Sequence, residues 1–172
     1  MVDFARSLEL KLDALISKYE SAHVEVGFLG NHTNLKGVNY AKIAFWNEFG
    51  TKSKGGYGVW VSFMVNGRRV TMPHKGMPAR PFFRTTIEQE KGTWVDKIAR
   101  GLKADKFTSE QVLDMVGIDF KGKLQESIQG WSEPANAPLT IEKKGFNKPL
   151  VDTGAMWQTA IEVVTHSGLG DD

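Results

Sequence analysis

Asn66-Gly67 stands between two runs rich in apolar and β-branched residues, Val59–Val65 and Arg69–Met72, and constrains the fold more than any other dipeptide in the chain. Asn-Gly accepts the positive φ angles of a two-residue turn whose twist matches that of paired strands, so the segment predicts a β-hairpin. Along its first strand Val59, Val61, Phe63 and Val65 share one face, while Trp60, Ser62 and Met64 share the other. The first set reads as core. Trp60 and Met64 then form an apolar strip that a helix or a neighbouring subunit would cover.

Helical periodicity dominates elsewhere. Phe4, Leu8, Leu12, Leu15, Ile16 and Tyr19 recur at spacings of three and four, which predicts an amphipathic helix over about residues 3–20 with Asp3 as N-cap. Val24, Val26 and Phe28 alternate with His23, Glu25 and Gly27 as a half-buried strand. After a loop at Gly30–Gly37, Tyr40–Glu48 supports a short helix ended by Gly50. Thr51–Gly58 reads as loop. Pro73, Pro78 and Pro81 hold the following stretch extended, because a proline disfavours helix in the residue before it.

A long helix is expected from Pro81 or Phe82 to Leu102. A second, capped by Thr108 or Ser109, carries Val112, Met115, Val116, Phe120, Leu124 and Ile128. Gly117, Gly122 and Gly130 weaken the second helix and invite a break. Glu133–Pro149 is expected to be an ordered, irregular connection. A short helix capped by Asp152 or Thr153 follows, then a strand at Ala160–Thr165, with residues 166–172 as a flexible tail.

This order predicts a single α+β domain over residues 1–172. Its antiparallel or mixed sheet includes the hairpin, packed against the N-terminal and central helices. No apolar run approaches the roughly 18 residues that span a bilayer, and Met1–Arg6 does not begin a signal peptide. The absence of cysteine removes disulfides and thiolate metal sites, and fits a reducing cytoplasm.

Charge is unevenly spread. Thr51–Ile87 contains no Asp or Glu but carries Lys52, Lys54, Arg68, Arg69, Lys75, Arg80 and Arg84. Since the whole chain is only +2, the remainder is net acidic. A basic segment on an acidic body suits a polyanion or an acidic neighbouring subunit, and equally a solvated loop region. Trp60, Phe63, Phe82 and Phe83 interleave with these cations, the combination that stacks bases and neutralises phosphates, so a DNA-binding module is one reading. No motif for sequence-specific recognition accompanies it.

Catalytic patterns are sparse. Asp152-Thr153-Gly154 matches the loop of a dimeric aspartic protease, in which two such loops share one proton. Only 18 residues follow Gly154, too few for the remaining strands and the flap of that architecture, so the segment is expected to be a helix cap. His23, His32, His74 and His166 lack metal-ligand spacing and read as lone surface or strand histidines, leaving open only a site that the fold itself assembles. Gly55-Gly56-Tyr57-Gly58 lacks the ending of a phosphate loop. There is no Gly-x-Ser-x-Gly elbow, and no catalytic residue or cofactor is expected.

Three separated segments together resemble the tail-completion and head–tail joining proteins of tailed phages, the virion morphogenesis or minor tail group. They are Ala41-Lys-Ile-Ala-Phe-Trp-Asn-Glu-Phe-Gly-Thr51, then Met77-Pro-Ala-Arg-Pro-Phe-Phe-Arg84, and finally Asn136-Ala-Pro-Leu-Thr140 through Lys148-Pro-Leu-Val-Asp-Thr-Gly-Ala-Met156. The resemblance implies a non-enzymatic structural protein assembled in the host cytoplasm into the virion neck or tail, as a ring of six subunits. Its expected partners are copies of itself, head-closure, tail-terminator or tail-tube proteins, and DNA in the channel, with no membrane. On this reading Arg80, Arg84, Lys52, Lys54, Arg68, Arg69 and Trp60 would touch subunits or partners. Asn47, Glu48, Gly50, Thr51, Pro78, Pro81, Asp152, Thr153 and Gly154 would determine turns and caps.

Overall fold

The structure, a computed structural model, describes residues 22–52, 59–65, 67–74, 76–104 and 106–166, with the side chains of 59–61, 63, 65, 70 and 72–74 outside that description. The helix expected over residues 3–20, Lys54, Gly55–Gly58, Asn66, Lys75 and the tail after His166 therefore lie outside the described residues, as does the packing of the hairpin on the N-terminal helix. The fold is α+β. In order, the elements are β1 (His23–Gly27), α1 (Tyr40–Phe49), β2 (Thr51–Lys52), β3 (Val59–Val65), β4 (Arg68–His74), β5 (Gly76–Met77), α2 (Phe82–Lys103), α3 (Ser109–Gly130), α4 (Pro138–Lys144), α5 (Ala155–Gln158) and β6 (Glu162–His166). All strand pairing among them is antiparallel, in three two-stranded ladders: β1 with β6, β2 with β5, and the β3–β4 hairpin. Among the described residues, no helix is long and apolar enough to cross a membrane.

The described residues pack as two compact units, each discontinuous in sequence. One comprises 22–27, Glu90–Gly122 and 162–166. Here β1 and β6 pair in register from His23 opposite His166 to Gly27 opposite Glu162. Side chains alternate along each strand, so Val24, Val26, Val163 and Thr165 point to one face of the ladder, and His23, Glu25, Val164 and His166 to the other. The first face meets α3 at Gly117, where an added Cβ would stand 2.7 Å from both Val24 Cγ2 and Val163 Cγ1. Gly117 thus admits the valines against the helix backbone, and α3 runs through it unbroken.

The same device recurs between helices, since a Cβ on Gly101 of α2 would come within 2.8 Å of Val112 Cγ1 in α3. Thr108 and Gln111 start α3 with a reciprocal capping box: Gln111 N donates to Thr108 Oγ1 at 3.3 Å and Thr108 N to Gln111 Oε1 at 3.0 Å. Buried Trp94 lies against Phe120 with ring centroids 4.4 Å apart and donates its indole N–H to Asp119 at 2.9 Å.

The other unit comprises Phe28–Gln89 and Lys123–Ile161. Its buried apolar residues include Ala44, Phe82, Leu124, Ile128, Leu150, Met156, Ala160 and Ile161. Asn39 caps α1 by accepting from Ala41 N at 2.7 Å. The Glu133–Pro149 connection is more regular than expected, because it contains α4. Pro138 supplies the preset φ of a first helical turn and Gly145 ends the helix at φ 78°, a Pro-then-Gly signature that the proline count of the segment obscures. The last strand is β6, Glu162–His166, displaced toward the C-terminus from the expected 160–165.

Candidate assembly surface

The first two motif segments lock together at their backbones. Gly50 adopts φ 71° at the end of α1, and a Cβ there would stand 2.6 Å from Met77 O and 2.8 Å from Ala79 N. Only glycine satisfies both demands. The next residue, Thr51, pairs with Met77 and accepts from Met77 N through its hydroxyl at 3.0 Å. Pro78 is exposed and Pro81 half-buried, and between them the chain turns so that Arg80 N donates to Asn47 O at 2.7 Å.

Arg80 ties the backbone just before the third segment to this pair. Its guanidinium donates from Nη1 to Asn47 Oδ1 at 3.3 Å, from Nε to Pro134 O at 3.0 Å, and from Nη2 to Ala135 O at 3.2 Å. The residue is 4% exposed, and burial lowers its pKa from the ordinary value. Asn47 is held in turn by its Nδ2, which donates to Ile43 O at 2.8 Å. Expected as a subunit contact, Arg80 is instead a nearly buried clasp that donates from Nε, Nη1 and Nη2 to its own chain. A guanidinium suits this work because its planar fork satisfies several carbonyls at once.

Glu48 does for α2 what a local cap does for other helices. Its carboxylate, 7% exposed, accepts from Phe83 N at 2.9 Å and Arg84 N at 3.2 Å, and from Arg84 Nε at 2.7 Å. Two orphan N–H groups and the positive end of the helix dipole are thereby satisfied from another element. Arg84 also donates from Nη2 to Glu48 O at 3.2 Å and lies over the Phe49 ring at 4.9 Å, yet its side chain remains 56% exposed.

Above this clasp α1 presents an aromatic row to solvent. Phe45 is 60%, Trp46 36% and Phe49 53% exposed. Phe45 and Phe49 touch at 4.7 Å, and Lys42 Nζ sits 5.1 Å over Trp46. Beside them runs an apolar groove of about 230 Å³ lined by Phe28, Ala41, Phe45, Phe49 and Phe83. Tyr40–Phe49 reads in sequence as an ordinary short helix, yet its apolar residues fall on all faces, and Phe45 and Phe49 stay largely exposed.

The remaining predicted residues scatter. Lys52 is exposed in β2, and Arg68 and Arg69 are exposed at the start of β4. Met64, also on the hairpin, is 60% exposed, whereas Trp60 is described by its backbone alone, in β3. Asp152 is exposed on the rim of a second cavity, about 290 Å³, lined by Asn34, Tyr40, Asn47 and Pro149–Gly154.

Neither Asp152 nor Thr153 occupies the N-cap of α5. That position belongs to Gly154 at φ 87°, with the Thr153 hydroxyl accepting from Ala155 N at 3.4 Å. Nearby, Lys144 Nζ donates to Lys148 O at 2.6 Å and to Val151 O, and its pKa is lowered by desolvation, against which Asp152 acts. Among the described residues the one grouping able to hold a metal, His23, Glu25 and His166, belongs to the other unit.

No family model matches the chain, and comparisons with curated proteins and with solved structures find no match.

Proposed function

We propose that the protein is a structural component of a tailed-phage virion, forming a ring at the head–tail junction or the tail end and joining tail to head through protein–protein contacts around the DNA channel. The observation that carries this reading is the exposed row Phe45, Trp46 and Phe49, held on a helix whose C-terminal end is clamped by Gly50, Arg80 and Arg84. Aromatic side chains on a rigid helix lose little conformational freedom when they dock, and aromatics dominate the energetics of assembly interfaces. Lys42 and Arg84 place cations at the margins of the row, where acidic groups on a neighbour would meet them. Two of the three segments that resemble phage tail-completion proteins meet at this clasp, and Arg80 joins them to Pro134 and Ala135, immediately before the third, so these residues build the platform and the aromatics form the contact.

Sedimentation velocity of the purified chain over a range of concentrations tests the ring, with mass spectrometry of purified particles as the second arm. The expected result is a species near six times the 19.1 kDa chain mass, or incorporation into particles. A chain that stays monomeric throughout and is absent from particles refutes the reading.

One observation favours a second reading, a DNA-binding module: Arg68 and Arg69 are both exposed at the start of β4, one on each face of the hairpin. Such a module would bind duplex DNA with an affinity that falls steeply as salt rises.

A further inference from the structure

The β1–β6 ladder brings His166 beside His23 and Glu25, which lie at the other end of the described chain. His23 and His166 are directly opposite in register, and Glu25 lies two residues along β1 on the same face. All three are exposed, and their ligating atoms lie within 4.8 Å of one another. The two imidazoles stack with centroids 4.3 Å apart and planes 17° from parallel, while His23 Nε2 lies 4.0 Å from Glu25 Oε1. We propose that His23, His166 and Glu25 form a binding site for a transition-metal dication such as Zn²⁺, which clips β1 to β6.

The donor set is that of a borderline-soft dication: two neutral imidazoles and one carboxylate, with water completing a tetrahedron. Bonds of about 2.1 Å at tetrahedral angles place ligand atoms about 3.4 Å apart. The ligand atoms now lie within 4.8 Å of one another, so binding requires the three exposed side chains to draw together by rotamer adjustment. The ladder provides the preorganisation, since the hydrogen-bonded strands hold the Cα atoms of His23 and His166 as partners before any metal arrives. A chain without cysteine offers no thiolate to compete for the ion. The ion's effect is to couple the first and last described strands, so that bound metal stabilises the native ladder by mass action.

Calorimetric titration of the full chain with zinc chloride, after chelator treatment, tests the site. One equivalent of Zn²⁺ is expected to bind, and His166→Gln, which removes a direct ligand, reduces affinity more than the roughly tenfold that loss of a mere outer partner costs. Glu25→Gln weakens binding as well, and His32→Gln leaves it unchanged. In parallel, the imidazole NMR signals of His23 and His166 shift or broaden with zinc, while those of His32 and His74 do not. This second measurement uses the unmodified chain and decides the matter even where a variant folds poorly. Absence of saturable binding, or retained affinity in His166→Gln, overturns the proposal, as do zinc shifts confined to His32 or His74.

Discussion

Glu48 caps a helix to which it does not belong: its Oε2 accepts from Phe83 N at 2.9 Å across 35 residues of chain. The contact joins the end of α1 to the start of α2 and fixes the aromatic row relative to the Arg80 clasp. Since the carboxylate is nearly buried, its removal leaves two helix N–H groups and the Arg84 contact unsatisfied. Glu48→Ala is therefore expected to lower unfolding free energy by about 2–3 kcal/mol, and Glu48→Gln by about 1 kcal/mol, read from urea denaturation. Little of this belongs to the ion pair with Arg84, whose exposed side chain is screened by solvent. Arg84→Gln should accordingly cost under about 1 kcal/mol.

Two glycines of α3 predict opposite signs for the same substitution. A Cβ on Gly117 meets Val24 and Val163 at 2.7 Å, whereas a Cβ on Gly122 meets nothing within 4 Å. Gly122→Ala should stabilise by about 0.5–1 kcal/mol through helix propensity alone. In Gly117→Ala the same gain is outweighed by overpacking, for a net loss of about 1 kcal/mol or more. Thermal unfolding of the two variants, measured side by side, checks the contrast.

The aromatic row separates assembly from folding. Phe45 is largely exposed, so Phe45→Ser should change unfolding free energy by less than about 1 kcal/mol. It should nevertheless weaken self-association, or incorporation into particles, by more than about tenfold, as expected of an aromatic at the centre of an interface. Equal assembly by Phe45→Ser and the parent chain in sedimentation velocity would remove this face from the contact.

Lys144 supplies a pH signature. Its pKa in the folded chain is below the ordinary 10.5, chiefly through desolvation. Between the lowered value and the unfolded one, the unfolded chain binds more protons, so this group's contribution to stability rises with pH across that window. Below the lowered value both states are protonated and the desolvation penalty is present in full. The difference in stability between the parent chain and Lys144→Met should therefore shift in the parent's favour as pH climbs through that window. Denaturant unfolding at a series of alkaline pH values measures it, and NMR titration of the Lys144 side chain locates the folded value.

Much of this fold is legible from neighbours along the chain. The Asn66-Gly67 signal, the capping box begun by Thr108, the stop at Gly50 and the periodicities of α2 and α3 are local properties, set by backbone preferences and side-chain spacing within a few residues. The sequence alone therefore determined the α+β composition, the hairpin and the approximate span of the two long helices. It also brought Asn47, Glu48 and Arg80 to notice as motif residues.

Tertiary structure alone decided what those residues do. Arg80 was a plausible surface cation until the Pro134–Ala135 backbone closed over it, and Glu48 was a helix-end acid until α2 arrived with unsatisfied N–H groups. Gly117 looked like a weak point until the valines of the β1–β6 ladder packed against it, and His23 and His166 became neighbours only when that ladder formed. The physical reason is the same in each case. Propensity and periodicity act over a few bonds, whereas burial, desolvation and partner identity depend on which distant segments the chain brings together.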